Sequence, residues 1–349
     1  FEFETGFPSV FDPFNYGWHY RKQITINHDY VYGELTNFPV LISITDADLQ
    51  SKAQNDGGDI LFMNSAGEAS QLYYDLESYD AASGKLVAWV NVSSIDSSSN
   101  SSIYMYYENP DCINQAYSIK CWNSQYIAVW HMNDATTDSI QDSTINGYSG
   151  TKKGPNEPQT VEGIVGTAQH FDGSDDYIAF ANTIVPLGVK SVSGWILRET
   201  GPTWGTVLCD CSGISSSDSG LGWALHPEYT LQCYLGNGYE SGHYMQLYMN
   251  NEQSTWHYYV MTYDGTTLKG YLDGQLSVSS TEKSGSEGAP TENLRMGAST
   301  APGLPWPFQG ILDEFSVSTT ALSPEWIQTS YNTMKYPTEF ISVGPEETP

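Results

Sequence analysis

The stretch Phe308-Gln-Gly-Ile-Leu-Asp-Glu-Phe-Ser-Val-Ser-Thr-Thr-Ala-Leu-Ser323 decides the fold of the C-terminal part of the chain. Apolar residues such as Phe315 indicate a core strand, but the pair Asp313-Glu314 interrupts them. A buried charge that loses water costs several kcal/mol unless a partner compensates it. We therefore expect a cation or a set of backbone N–H groups to hold these carboxylates.

The charge balance limits the partners of the chain. Its 349 residues include 13 Lys and Arg against 41 Asp and Glu, which gives a formal net charge of −28. Such a chain cannot neutralise phosphates, so nucleic acid is excluded as a natural partner. Anionic membrane surfaces are disfavoured for the same reason, and no apolar run is long enough to insert into a bilayer. The acidity suits solubility or the binding of divalent cations.

The composition is typical of a secreted β protein. Tyrosine occurs 25 times and glycine 32 times, and long helical periods are scarce. Two glycosylation sequons, at Asn91 and Asn100, favour an extracellular or cell-surface location. We expect Phe1 to be a processed terminus, which fits the same location.

The five cysteines allow at most two disulfide bonds and leave one thiol. Cys112 and Cys121 would close a short loop, and we expect this pair to form. Cys209 and Cys211 are two residues apart and would point to the same face of a strand. We therefore expect one of them to pair with Cys233, and the spacing does not decide which one.

The first domain is predicted to be a β-sandwich. Residues 1–17 form an aromatic leader, and residues 18–111 contain short alternating runs bounded by turn residues. The predicted strands cover residues 18–27, 38–44, 59–63, 72–77, 85–92 and 102–107.

Five motifs in this domain occur in the order of a known family. They are Trp18-His-Tyr-Arg-Lys22, Phe38-Pro-Val-Leu41, Asp56-Gly-Gly-Asp-Ile60, Ala88-Trp-Val90 and Ile103-Tyr-Met-Tyr-Tyr107. Together they resemble DUF2341, a domain of archaeal and bacterial surface proteins. That resemblance implies no activity.

A second domain is predicted at residues 126–337, after a disulfide-stapled linker at 112–125 and before a C-terminal strand and tail at 338–349. The motifs Asp142-Ser-Thr-Ile-Asn-Gly147 and Gly166-Thr-Ala-Gln-His-Phe-Asp-Gly173 precede the stretch at 308–323. In this order they resemble the laminin-G-like family, which implies a concanavalin-A-type jelly roll.

The whole chain is therefore predicted to be all-β, with two β-sandwich domains in series. The second is a concanavalin-A-like or laminin-G-like jelly roll. One short C-terminal helix is predicted from Pro324 to Met334, because Ser323 suits the N-cap and proline suits the first helical position.

Three acid-rich groups are candidate cation sites: Asp134 with Asp138 and Asp142, Asp172 with Asp175 and Asp176, and Asp313 with Glu314. Calcium prefers such carboxylate oxygens. The resemblance to concanavalin-A-like sandwiches implies a calcium ion held by Asp313, with Asp142 and Asp134 as further ligands. The alternative is that Asp313 accepts backbone N–H bonds and caps a turn.

Hydrolysis of glycans is the least supported chemistry. Glycosidases of this fold need two carboxylates on one sheet face, and no Glu-x-Asp-x-x-Glu motif occurs in the chain. Asp313 and Glu314 are adjacent, so a regular strand would turn them to opposite faces. We therefore expect no catalytic residues.

Carbohydrate binding is better supported. Aromatic rings offer flat faces to sugars, and amide side chains can orient hydroxyl groups. The alternative is that tyrosine is a favoured strand residue and that half of these rings face the core. The candidates in the aromatic region from Thr203 to Asn250 are Trp204, Trp223, Tyr239, Tyr244 and Asn237.

The function predicted from these features is a non-enzymatic extracellular surface or structural protein that acts by adhesion or self-assembly, for example as a filament subunit. A carbohydrate-binding module is the alternative, and a glycoside hydrolase is a distant third. The leader alternates apolar and acidic residues and could add to an exposed sheet edge of another copy, or fold back on its own domain. Its candidate contacts are Phe1, Phe3, Phe7 and Phe11.

Overall fold

The computed structural model describes residues 9–137, 139–153, 158–199, 203–211, 219–237, 244–281, 287–290, 292–299 and 306–349. The chain divides into two compact units. The first joins the chain up to Asn123 with Gln328–Pro349, and the second is Ser124–Ile327. Both units are built from antiparallel sheets, so the all-β prediction is confirmed.

The first unit contains a four-stranded and a three-stranded sheet. The strands are β1 Tyr20–Ile26, β2 Glu34–Thr45, β3 Leu61–Met63, β4 Tyr74–Asp80, β5 Lys85–Asp96, β6 Ser101–Tyr107 and β22 Ile341–Glu347. Their orders in the two sheets are β22-β1-β6-β3 and β2-β5-β4. Alternation of buried and partly exposed residues along β1 shows why its sequence forms a strand: Ile24 and Ile26 enter the core.

Short helices complete the first unit. The α-helices are α1 Ala47–Lys52, α2 Ser118–Cys121 and α4 Pro337–Phe340, and the 3₁₀ helices are Pro13–Tyr16 and His28–Tyr30. The segment predicted as a linker at 112–125 packs on this unit up to Asn123. For example, the N–H of Tyr117 donates to the carbonyl oxygen of Tyr74 at 3.0 Å.

The C-terminal segment from Gln328 onward also belongs to the first unit. Helix α3, Pro324–Lys335, begins as predicted, with the N–H of Trp326 donating to Ser323 Oγ at 3.2 Å. Its later residue Thr333 accepts a bond from the N–H of Leu41 at 3.1 Å. The predicted final strand exists as β22, which pairs with β1. A boundary at 337 would therefore cut through elements that the structure joins.

The second unit is a sandwich of an eight-stranded and a seven-stranded sheet. Side chains from both sheets form one core cluster between them. The strands of the first sheet are β7 Tyr126–Trp130, β9 Gln159–Glu162, β10 Thr167–Asp172, β12 Lys190–Arg198, β17 Trp256–Tyr263, β18 Leu268–Leu272, β19 Gln275–Ser280 and β21 Gln309–Ser318. Those of the second are β8 Gly150–Lys153, β11 Tyr177–Phe180, β13 Gly205–Cys209, β14 Ser219–His226, β15 Thr230–Asn237, β16 Tyr244–Asn250 and β20 Arg295–Met296.

Strand β21, within the stretch 308–323, lies in the middle of the eight-stranded sheet and pairs with β12, β10 and β7. A bulge interrupts its pairing with β12, and Glu314 there has a φ of 48°. Opposite it, a Cβ on Gly194 would lie 2.5 Å from the ring of Phe315, so glycine is required at that position.

The structure contains no disulfide bond among the five cysteines, all of which it describes, so the predicted pairings are corrected. The Sγ of Cys121 lies 3.2 Å from the carbonyl oxygen of Trp89. The Sγ of Cys112 instead lies 3.8 Å from the carbonyl oxygen of Gly58. Each thiol therefore contacts a different part of the first unit.

The remaining pairing fails because of strand order. Cys209 lies on β13 opposite Gly222 of β14, and Cys233 lies on β15 opposite Trp223 of the same strand. Neighbouring strands are about 4.8 Å apart, so two sheet steps exceed the Cα separation of about 7 Å that a disulfide tolerates. Cys211 follows the end of β13 and is fully buried.

Phe11 packs in its own unit. It is 4% exposed and exchanges two backbone hydrogen bonds with Ala69, each 3.0 Å long. Its ring belongs to a core cluster with Trp18 and Tyr106. Phe11 is therefore corrected as a self-association residue, while the other three candidates of the leader, Phe1, Phe3 and Phe7, lie outside the described residues.

No helix in the described ranges is long and apolar enough to cross a membrane.

Candidate functional site

A cluster of aromatic side chains lies at one end of the seven-stranded sheet. The rings of Trp204 and Trp306 stack with centroids 5.4 Å apart and an interplanar angle of 21°. His226 meets Trp204 edge-on at 4.7 Å, and Tyr248 meets His226 at 5.5 Å. We call Trp204, His226, Tyr248 and Trp306 the aromatic surface.

The sheet register explains why part of this cluster reaches solvent. Leu225, Leu231 and Leu247 face the core between the sheets. Because side chains alternate along a strand, His226 and Tyr248 stand on the opposite, outer face. Tyr248 is 46% exposed and Trp204 is 37% exposed, so flat ring area remains open to a ligand.

A buried arginine fixes the backbone beneath the aromatic surface. Arg198, at the end of β12, is fully buried and donates to the carbonyl oxygens of His226 at 3.2 Å and Thr203 at 3.3 Å. Its guanidinium also lies 5.1 Å from the ring centre of Tyr229. Burial lowers the pKa of Arg198, because desolvation disfavours its charge. Arg198 thus holds two of the segments that carry the surface, those of Trp204 and His226.

Polar groups stand two to four positions after His226 and Tyr248 in the chain. Asn250 Nδ2 donates to Glu252 Oε1 at 3.2 Å, and both residues are exposed. The N–H of Glu228 donates to His226 Nδ1 at 3.2 Å, and the Glu228 side chain is 82% exposed. Flat aromatic area next to amide and carboxylate groups suits a ligand with apolar faces and hydroxyl groups.

The structure separates the predicted carbohydrate-binding residues. Trp204 lies in the aromatic surface, but Trp223 is fully buried in the core and is corrected as a candidate. Asn237 and Tyr244 belong to β15 and β16, and their side chains lie outside the described residues, as does the whole of Tyr239.

Sequence reasoning missed Trp306 and His226. Trp306 lies 102 positions after Trp204 in the chain, and nothing in the spacing joins them. The sequence offered one signal for Trp306. Like Trp204, it stands next to glycine or proline, which are typical of loops.

Each of the three predicted calcium ligands accepts backbone N–H groups. Asp313 Oδ2 accepts the N–H groups of Ile164 at 2.8 Å and Val165 at 3.1 Å, in the turn between β9 and β10. This is the backbone compensation that the sequence left open as the alternative to a cation. Asp142 likewise accepts the N–H of Tyr148 at 2.7 Å.

Asp134 Oδ2 accepts the N–H of Gln141 at 3.1 Å. Among the described residues, the groups of ligand atoms close enough to share one ion include none of Asp134, Asp142 and Asp313. Asp138, which belonged to the same acid-rich group, lies outside the described residues. The donor set implied by the resemblance therefore does not come together around one ion.

Glu314 has a different partner from Asp313. His131 Nδ1 lies 3.0 Å from Glu314 Oε2, and both side chains are 5% exposed. The bulge in β21 turns the glutamate toward this histidine. Both carboxylates of the Asp-Glu pair are thus bound within the fold.

The two glycosylation sequons differ in their surroundings. Asn91 lies on β5, and its Nδ2 donates to the carbonyl oxygen of Cys121 at 2.7 Å. A glycan on that nitrogen would have to break this bond. Asn100 is exposed, and its Oδ1 accepts the N–H of His28 at 3.0 Å. This bond does not involve the side-chain nitrogen that would carry a glycan. Of the two, Asn100 fits glycosylation better.

Two family models match the chain. Residues 56–116 match the domain of unknown function DUF2341, and residues 172–328 match the Concanavalin A-like lectin/glucanases superfamily. No curated protein matches the chain.

Several solved structures are similar to part of the chain at low identity. The botulinum neurotoxin serotype D binding domain is 17% identical, with a TM-score of 0.46, over 60% of this chain and 51% of that chain. Domain 4 of a GH43 extracellular arabinanase from Geobacillus stearothermophilus, in complex with arabinotriose, is 21% identical, with a TM-score of 0.45, over 59% of this chain and 98% of that chain. The match thus spans about half of the toxin chain. The match to the DUF2341 model precedes the match to the concanavalin A-like superfamily model, in the order that the sequence predicted.

Proposed function

We propose that the protein is a non-catalytic, extracellular carbohydrate-binding protein and that the aromatic surface of its second unit holds the glycan. The observation that carries the proposal is the stack of Trp204 on Trp306 beside the half-exposed ring of Tyr248. Such rings bury the apolar face of a sugar without first having to move, because each is already held by a neighbouring ring.

The charge of the chain narrows the ligand to neutral glycans. Glu228 and Glu252 border the rings, and Arg198, the cation beneath them, is fully buried. With a formal net charge of −28, the chain repels uronic, sialylated and sulfated sugars. Neutral hydroxyl groups can accept from Asn250 and donate to the carboxylates without this cost.

The same contacts support binding rather than hydrolysis. Asp313 and Glu314, the paired carboxylates of the central strand, hold backbone N–H groups and His131. They are not placed to act on a sugar at the outer face. Binding of neutral glycans outside the cell would also supply adhesion, so this proposal narrows the function that the sequence predicted.

The test is a neutral and acidic glycan array followed by calorimetry on each hit. We expect Trp204→Ala and Tyr248→Ala each to weaken binding by about tenfold, which corresponds to about 1.4 kcal/mol. Tyr32→Ala is the matched control, because Tyr32 is 45% exposed but lies in the first unit. Equal affinity in all four proteins, or release of smaller sugars from a bound polysaccharide, would contradict the proposal.

A further inference from the structure

We propose that Asp172, Asp175 and Asp176 form a calcium site in the second unit, separate from the aromatic surface and from the residues implied by the family resemblance. The three carboxylates lie in the turn between β10 and β11, and one oxygen of each lies within 4.8 Å of the others. A cluster of acidic residues does not by itself indicate a bound ion, so a second, independent observation is needed.

Asp176 supplies that sign. Its side chain is 2% exposed, and its Oδ1 is buried without a hydrogen-bond partner. Its other oxygen, Oδ2, accepts the N–H of Asp172 at 3.2 Å. A buried carboxylate oxygen that accepts nothing is costly, so a missing partner is expected at this place.

The surroundings offer no positive side chain as that partner. None of the three aspartates makes an ion pair with a Lys, Arg or His among the described residues. Burial raises the pKa of Asp176, and the neighbouring carboxylates of Asp172 and Asp175 raise it further, while His170 lowers it. His170 itself is bonded to Glu199 at 2.9 Å. The negative charge of the turn is therefore uncompensated.

The donor chemistry selects calcium. Every available ligand is an oxygen, whereas zinc in proteins prefers nitrogen and sulfur. The side chain of Gln309 packs beside Gly173, with its Oε1 3.2 Å from the position of a Cβ there, and offers a further oxygen. Calcium accepts six to eight oxygens in flexible geometry and takes the remainder from water. Magnesium demands a closer approach to an ideal octahedron.

The position of the turn gives the ion a structural role. Strand β10 belongs to the eight-stranded sheet, and β11 belongs to the seven-stranded sheet. The turn of Gly173–Asp176 is the crossing between them. An ion bound there would fasten the two sheets of the sandwich at this crossing and remove the repulsion among the three aspartates.

The test compares melting temperatures in excess calcium and in chelator. Calcium should raise the melting temperature of the wild type by several degrees, because it binds only the folded state. Asp176→Asn should melt higher than the wild type in chelator, since it loses a buried charge, but should gain nothing from calcium. Glu162→Gln removes one exposed charge from the same unit and should respond as the wild type does.

Calorimetric titration with calcium provides the direct measurement. Asp175 is exposed, so Asp175→Asn keeps the fold even if the Asp176 variant is unstable. We expect Asp175→Asn to weaken calcium binding by about tenfold or more, because affinity follows the number of charged ligands. Failure of the wild type to bind calcium, or wild-type affinity and melting shift in both variants, would overturn the proposal.

Discussion

The carboxylate of Asp59 accepts a hydrogen bond from the backbone N–H of Asn109, 3.1 Å away and 50 residues further along the chain. The same side chain accepts the N–H of Glu108 at 2.8 Å and the N–H of Gln54 at 2.8 Å. Its own carbonyl oxygen accepts the indole N–H of Trp18 at 2.7 Å. One fully buried aspartate thus binds three other segments of the first unit, at Trp18, Gln54 and Glu108–Asn109.

Replacement of Asp59 should strongly destabilise the first unit. Asp59→Ala leaves three backbone N–H groups without acceptors in a buried place, and each such group costs about 1–3 kcal/mol. We expect a loss of about 3 kcal/mol or more, measured by urea unfolding with tryptophan fluorescence. Asp29→Asn, at a side chain that is 74% exposed, should change stability little. A loss below about 1 kcal/mol in Asp59→Ala would show that water replaces the carboxylate.

This aspartate also shows how far sequence reasoning reached. The motif Asp56-Gly-Gly-Asp-Ile60 was recognised as a family feature, but its order in the chain did not tell what Asp59 binds. Strands such as β1 and β5 were predictable because alternation of apolar residues is a local property. The acceptor of a side chain 50 residues away is not local, so only the folded chain reveals it.

The orientation of Glu314 and the burial of the two tryptophans were also beyond prediction, because they too depend on the folded chain. Alternation predicted that Asp313 and Glu314 face opposite ways, but it could not predict the bulge that gives Glu314 a φ of 48° and directs it to His131. Composition marked Trp204 and Trp223 equally, although one is 37% exposed and the other is fully buried. Which face a ring occupies depends on strand register, which composition does not contain.

Loss of the proton from Asp210 should lower the free energy of unfolding as the pH rises. Burial raises its pKa to about 7, although the N–H of Leu221 donates to its Oδ1 at 2.7 Å. Its Oδ2 has no hydrogen-bond partner. The charges that act on it are Lys190, which lowers the pKa, and Glu287, which raises it.

The sign of the Asp210 effect follows from proton linkage. The folded state holds the proton of Asp210 more tightly than the unfolded state does. The stabilisation that this proton contributes is therefore fully present below about pH 4 and is lost between about pH 4 and 7. The total loss is about 4 kcal/mol, from three pKa units at about 1.4 kcal/mol each. Asp210→Asn should therefore exceed the wild type in stability at pH 8 and converge with it near pH 4, in urea unfolding at both pH values. If the free energies of unfolding of the two proteins differ by the same amount at both pH values, Asp210 titrates normally.

The stability of the protein should not depend on reductant. With no disulfide bond in the structure, dithiothreitol should leave the melting temperature unchanged, and the mass of the protein should show five thiols after unfolding and alkylation. Burial raises the pKa of Cys112 to about 12, with the carboxylates of Asp59 and Asp56 adding to the effect. Alkylation of the native protein at pH 8 should therefore be slow. A fall of several degrees in dithiothreitol would mean that a disulfide forms.

Two changes in the leader separate the role of Phe11 in folding from self-association. Phe11 is 4% exposed and meets the ring of Tyr16 edge-on at 5.5 Å, so Phe11→Ala should cost about 3–5 kcal/mol in urea unfolding. Because that ring is buried within its own unit, the substitution should not change the oligomeric state of the folded protein. Deletion of residues 1–8 removes Phe1, Phe3 and Phe7 and keeps Phe11 in place. If these phenylalanines join one copy to the next, the deletion should reduce the mass seen by light scattering and leave the melting temperature unchanged. A wild type that is monomeric, or an oligomer of unchanged size after the deletion, would exclude self-association through the leader.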